Sequence, residues 1–278
     1  MNAVPFSPAR AALIAGQTFR EAVRQRLPCL LLALLAASAG AALVMRDFRF
    51  GSSEEKFILD AGFGAEAMFG AILAVVVTAQ FFTGETERRT VLMVLAKPVR
   101  RAEFVLGKYG GVLLLLLIFC AAMTGLLAGL LWWRRAPLAS AGDDSVGAGS
   151  LAVYGGVVVC GLVQWLKLGV LAAFTLLVAS YARSSLVAVT TGFAVLVVGH
   201  LHHLARDFYA SAGPTWAAAG ARLVSLALPD FQLFNVADQV EAGGPWPGGM
   251  LAGITCYALA YMGVLCALAV CCFRRREL

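Results

Sequence analysis

Six stretches of this chain are apolar over roughly the 20 residues that a helix needs to cross a bilayer, and no other feature constrains the fold as tightly. They run Leu27–Val44, Phe63–Phe82, Tyr109–Trp133, Val157–Tyr181, Leu186–Leu201 and Met250–Phe273. The first and fifth are short. The apolar stretch before Gly161 reads either as a separate helix on the outer surface or as an extension of the fourth span. The expected architecture is all-α, one polytopic transmembrane domain over residues 1–278. Composition agrees: 60% of residues are hydrophobic and 14% charged, against about 25% charged in a soluble domain. That balance excludes an ordinary soluble protein, and equally a disordered chain, which needs few apolar residues and high net charge.

The formal net charge of +6 would suit a nucleic-acid binder, but in so apolar a chain the membrane explains it better, and no nucleic-acid partner is expected. With the N-terminus inside, the inner segments hold 14 basic and 5 acidic residues, and the outer segments 7 basic and 11 acidic, with Lys167 within a span. The excess of Lys and Arg on one side places both termini in the cytoplasm. Ala37-Ser38-Ala39 follows an apolar run and resembles a signal cleavage site. The long basic stretch before it favours an uncleaved first span. Within that stretch, residues 7–26 read as an interfacial amphipathic helix. Ser7 can cap it, Pro8 suits its first turn, and Ala15, Phe19, Val23 and Leu27 form an apolar stripe. Such a helix would lie on the lipid of the inner leaflet; the alternative is a cytoplasmic extension of the first span.

Several constellations invite chemistry. The seven Cys are scattered through apolar runs and read as small hydrophobes. Gly107/Gly111, Gly125/Gly129 and Gly249/Gly253 have the four-residue spacing that lets helices approach closely. His200, His202 and His203 are the only histidines. On a helix His200, His203 and Asp207 share a face, a donor set suited to zinc, copper or nickel, although the same residues would simply cap a span where it meets water. Lys167, with Gln164 one turn away, is the sole Lys or Arg inside an expected span; it either snorkels or lines a pathway. Residues 202–249 form a long outer loop, with an amphipathic stretch from Trp216 to Leu228 that could gate the outer side, dock a periplasmic protein, or cover the span ends.

The loop at 83–98, between the second and third expected spans, carries the strongest pattern. Glu85 and Arg89 form an i,i+4 ion pair in the favourable order. Val91, Leu92 and Leu95 share one face, and Pro98 ends the turn. Arg100, Arg101 and Glu103 then open the next helix. A short amphipathic helix fixed to two spans can transmit force from whatever docks on it. The residues Glu85-Thr-Glu87-Arg88-Arg89-Thr90, then Lys97-Pro98-Val99-Arg100-Arg101 and Leu106-Gly107-Lys108 resemble the coupling-helix region of ABC-2 type permeases. Arg89 stands where many members have Gly, and Arg100 where many have Ser. Phe19-Arg-Glu-Ala-Val-Arg24 is similar to that family's entry helix, and Ser180-Tyr-Ala-Arg-Ser-Ser185 to its short second inner turn. Val198-Gly-His-Leu201 and Leu228-Pro-Asp-Phe-Gln-Leu-Phe-Asn235 resemble a subgroup similar to permeases named for multicopper-enzyme maturation.

The resemblance implies a six-span subunit of a bacterial inner-membrane exporter. It implies a dimer, with a second copy or a similar permease, and cytoplasmic ABC ATPase subunits carrying ATP and Mg. It assigns ATPase coupling to Glu85, Glu87, Arg88, Arg89, Thr90, Leu92, Leu95, Pro98, Arg100 and Arg101. The chain's own residues are consistent with a divided labour. A phosphate-binding loop needs G-x-x-x-x-G-K-[ST], and around Gly107-Lys108 the first glycine is replaced by Ala102 and the hydroxyl residue by Tyr109. No cofactor and no catalytic role is therefore expected of this chain. Two other functions fit fewer residues: a metal-handling protein or metalloenzyme built on the outer histidines, and a passive membrane anchor. The spans name no substrate.

Overall fold

Uninterrupted apolar runs leave the backbone of a span no partner but itself, and each of the five runs within the described residues lies in a helix longer than the run. The computed structural model describes residues 7–24, 33, 37, 40, 54–87, 100–139, 145–182, 184–211, 228–236 and 248–275. These contain α1 (Pro8–Arg24), α2 (Glu54–Glu87), α3 (Arg101–Ala139), α4 (Ser145–Tyr181), α5 (Ser185–Ser211), a 3-10 turn (Phe231–Phe234) and α6 (Gly248–Arg275). Strands are absent among the described residues, as the all-α expectation requires. Four helices are long and apolar enough to cross a membrane: Ile58–Gly84, Arg101–Trp133, Val153–Tyr181 and Gly248–Arg275. The apolar part of α5, Ser185–Leu201, is shorter. The expected first span, Leu27–Val44, lies outside the described residues apart from three isolated positions.

Helix length corrects several boundaries. At about 1.5 Å per residue, the 34 residues of α2 and the 39 of α3 exceed a hydrocarbon core about 30 Å thick, so both helices run past the apolar segment. The third span starts at Arg101 rather than Tyr109. The apolar stretch before Gly161 extends the fourth span. Helix α5 continues through Ser211, so the expected outer loop at 202–249 begins in helix; hydropathy marks where a span meets water and not where the helix ends. Glu66, counted by sequence among the outer-flank charges, lies inside α2 with no exposed surface.

Helix α4 is the axis of the bundle, packing against α2, α3, α5, α6 and the 3-10 turn. Its Leu168, Val170, Leu171, Ala172, Ala173 and Leu176 are essentially inaccessible. Helix α6 is the opposite case. Only 33% of its apolar window is buried within the chain, and Leu259, Val264 and Leu268 face outward.

Helix α1 is present where residues 7–26 suggested one, and Ala15 and Phe19 of the expected stripe lie on the side that meets α3 and the core. Its neighbour is the first part of α3, and Thr18 and Ala22 are buried there. The expected stripe included Val23, which is 47% exposed, and Leu13 is 71% exposed. The glycines on α3 set this packing. A Cβ on Gly107 would lie 2.7 Å from Ile14 Cβ and 2.8 Å from the Ala11 carbonyl oxygen, and one on Gly111 would lie 2.8 Å from the Ala15 carbonyl oxygen. Only glycine lets the two backbones come this close. The Gly125/Gly129 and Gly249/Gly253 pairs have nothing within 4 Å of such a Cβ.

Gly107→Leu is expected to destabilise the α1–α3 junction by about 1–3 kcal/mol through overpacking, read as a lower melting temperature and faster tryptic cleavage after Arg20 and Arg24 in detergent. Gly125→Leu, on an open face of the same helix, should leave both unchanged.

Candidate functional site

Two polar regions stand out against the apolar bundle. One lies where α1, the end of α2, the start of α3 and the end of α6 meet, and the other in the opposite half.

The first begins with how α3 starts. Arg100 precedes the helix, and the carboxylate three residues on, Glu103, reaches back so that its Oε2 accepts from Arg100 N at 3.0 Å. This satisfies one of the donors a helix start leaves bare. The other oxygen accepts from Ser7 N at 2.7 Å, and Arg10 Nη1 lies 3.6 Å from Oε2. Glu103 is fully buried, yet its charge is met by two backbone donors and a guanidinium, which is what a buried carboxylate requires. One turn further, Lys108 Nζ lies 3.9 Å from Glu21 Oε2 and over the Phe81 and Phe104 rings. Lys108 is 6% exposed, so Lys167 is not the only basic residue buried within a span.

Arg101 ties the start of α3 to the end of α6. Its Nη1 donates to the Phe273 carbonyl at 3.2 Å and to the Arg274 carbonyl at 2.9 Å, covering acceptors that the helix terminus leaves free. Beneath it, the rings of Phe82, Phe104 and Phe273 form a closed triangle with centroid separations of 5.9, 5.3 and 5.8 Å. Phe82 is at the last buried turn of α2 and Phe104 at the first turn of α3. Both ends of the 83–98 loop are thus held in one aromatic cluster with α6. Glu85 and Glu87 lie on the final turn of α2, which continues past Gly84; their side chains, and all of Arg88, Arg89, Thr90, Leu92, Leu95 and Pro98, lie outside the described residues. Arg100 is exposed beside them.

The second region is a cavity of about 230 Å³ between α2, α4 and the segment after the 3-10 turn. Asp60, Gln164, Lys167 and Asn235 line it together with Phe63, Phe234 and Val236. The sequence paired Gln164 with Lys167, and the structure puts both on its wall. His200, read from the sequence either as part of a metal set with His203 and Asp207 or as a cap where the span meets water, faces Lys167. Its Nε2 is 3.0 Å from Lys167 Nζ, and its Nδ1 is 2.8 Å from the Leu196 carbonyl. A carbonyl only accepts, so Nδ1 carries the proton and Nε2 receives one from the ammonium. Both ring nitrogens are then occupied. His203 and Asp207 continue along α5, but their side chains lie outside the described ones. The wall that carries Asn235 is set by Asp230, whose carboxylate accepts from Gln232 N at 2.9 Å and whose backbone N–H donates to Tyr257 OH at 3.0 Å. Phe231 sits in the gap left by Gly199 and against the His200 ring, 5.6 Å between centroids.

Behind the cavity are groups the sequence reading did not single out. Glu66 lies beside the Cys120 and Cys160 thiols, and neither of its oxygens has a nitrogen or oxygen donor; Thr124 Oγ1 and Gln164 Nε2 are likewise buried without partners. The only available signal was a carboxylate within the apolar run Phe63–Phe82. Because a buried unpaired polar group costs about 1–3 kcal/mol, Glu66→Leu is expected to hold or raise thermal stability by that order in a detergent melt.

These two regions sit on a bundle whose sequence is matched by a family profile described as ABC-2 family transporter protein, over residues 12–205. No curated protein matches the chain. The matched range covers α1 through most of α5, including the 83–98 loop and the Lys167–His200 pair, and on that extent the chain belongs to the ABC-2 transporter family.

Proposed function

We propose that this protein is the membrane-spanning permease subunit of an ATP-driven exporter whose ATPase is a separate cytoplasmic protein. The observation that carries this is the clamped root of the 83–98 loop. A helix that receives a push from a partner works only if its ends are rigidly joined to the spans, and here Phe82 and Phe104 anchor both ends against Phe273. Arg101 extends the anchor to the end of α6. The assigned contacts with the ATPase are Glu85, Glu87, Arg88, Arg89, Thr90, Leu92 and Leu95, with Pro98, Arg100 and Arg101 setting the return into α3. ATP and Mg belong to the ATPase.

In this reading closure of two ATPases moves the loop, and the motion enters α2 and α3 together. Helix α4, packed on both, carries it toward the half containing Lys167 and Gln164, which line the pathway. Two permease subunits enclose that pathway, and the outward apolar face of α6 suits lipid or a second subunit. The orientation follows the basic residues: Arg10, Arg100, Arg101 and Arg274 meet where α1, α3 and α6 come together, and this reading assigns that end to the cytoplasm of a bacterial inner membrane. Helix α1, with basic residues and outward-facing Leu13 and Val23, lies along that surface. The motif resembling the subgroup, Leu228–Asn235, builds the cavity wall and leaves the cargo's identity to the cavity itself.

Co-purification provides the test. Co-expressed with its ABC ATPase, the intact protein should retain it through affinity purification, and Glu85→Ala or Arg89→Ala should lower the retained amount at least fivefold while leaving the permease folded. A chain that never retains an ATPase, or whose retention ignores both changes, would contradict the reading.

A further inference from the structure

The cavity holds more information than its position. Lys167 is 9% exposed, in the middle of a candidate span, and a charge at that depth is kept only where something answers it. Its one partner among the described residues is His200 Nε2. Because His200 keeps its proton on Nδ1 and donates it in a hydrogen bond to the Leu196 carbonyl, its Nε2 accepts from the ammonium, and among the described residues no carboxylate forms an ion pair with Lys167. An ammonium has three donors; His200 takes one, and two remain on the cavity side. Gln164 Nε2, on the same wall one turn away, is buried with no acceptor. Asn235, which is exposed, adds a second amide to the lining from the segment after the 3-10 turn. The ammonium and the Gln164 amide thus leave donors on the buried wall that no described residue accepts from. Asp60, the one carboxylate on the lining, is at the exposed mouth, where water screens it. The remaining lining is apolar: Phe63, Ala67, Phe234 and Val236.

We propose that this cavity is a binding site for an anionic group, a phosphate or carboxylate, carried on a partly apolar molecule. Lys167 and the Gln164 amide receive the anion, and Phe63 and Phe234 receive the adjoining apolar part. His200 is a positioning residue: it accepts one ammonium hydrogen and turns the other two inward. The proposal deepens the permease reading by naming the class of cargo, and rests on it for transport only, since binding is a property of this chain alone.

The test is calorimetric titration of the full-length chain in dodecyl maltoside, without any ATPase, so that failure here is distinct from failure of the coupling reading. The probes are dihexanoyl phosphatidic acid, dihexanoyl phosphatidylcholine and inorganic phosphate. The expected result is saturable binding of the phosphatidic acid at one per chain and at least tenfold weaker binding of the phosphatidylcholine. Lys167→Met should weaken the first by at least tenfold, and Lys167→Arg should keep it within about threefold. Inorganic phosphate binding as tightly as the phosphatidic acid would assign the site to a free anion, and phosphatidic acid alone to an amphiphile; if neither binds, the proposal is overturned. Equal binding to the intact chain and Lys167→Met overturns it too. Should Lys167→Met fail to elute as the intact chain does, Asp60→Asn decides: removing the negative charge at the mouth should tighten phosphatidic acid binding two- to fivefold, and unchanged or weaker binding rejects the site.

Discussion

One buried carboxylate organises the end of the molecule where the proposed work is done. Glu103 starts α3 by bonding the Arg100 amide and fixes the start of α1 through the Ser7 amide and Arg10. Its charge could not be buried without these partners, and the partners come from two segments nearly a hundred residues apart. Once α1 is held there, its backbone must cross α3 at Gly107 and Gly111, and Lys108 is left to face Glu21 and the Phe81 and Phe104 rings. The aromatic triangle then closes over α2, α3 and α6. Each step follows sterically or electrostatically from the one before, so the root of the 83–98 loop is a rigid joint rather than a hinge.

The opposite half is built on a different principle. It is polar and incompletely satisfied: among the described residues, Glu66, Thr124 and Gln164 have buried atoms without partners, and Lys167 is paired with a neutral imidazole and no carboxylate. Native interiors keep such groups few, and where they persist around a cavity they mark a place where something else completes the bonding. A rigid joint at one end and an unsatisfied, ligand-ready half at the other, connected by α4, is the division a driven permease needs.

Much of this was legible in the sequence. The apolar runs gave the helices because nothing but a helix period of that length and hydropathy suits a span, and Leu106-Gly107-Lys108 was visible as a pattern before its parts had roles. Helix ends were less legible. They are set by caps such as Glu103 and by backbone that stays helical past the apolar limit, as α5 does from His202 to Ser211. Depth was the other loss. Glu66 falls within the expected span Phe63–Phe82, but its burial follows only once the helices are packed around it. The pairing of Lys167 with His200 joins two helices 33 residues apart in sequence, and it depends on how α4 and α5 cross, which no local pattern encodes. The packing side of α1 was hard to read for a related reason: Gly107 and Gly111 fix where its backbone can approach α3, and Leu13 and Val23 stay exposed.

The central claim is that force enters through the 83–98 loop, and site-specific photo-crosslinking in cells tests it most directly. A benzophenone amino acid placed at Leu92 or Leu95 should give a light-dependent adduct with the ATPase, while the same group at Trp132, on the far side of α3, should give none. Adducts absent from both loop positions, or formed equally from Trp132, would contradict the account.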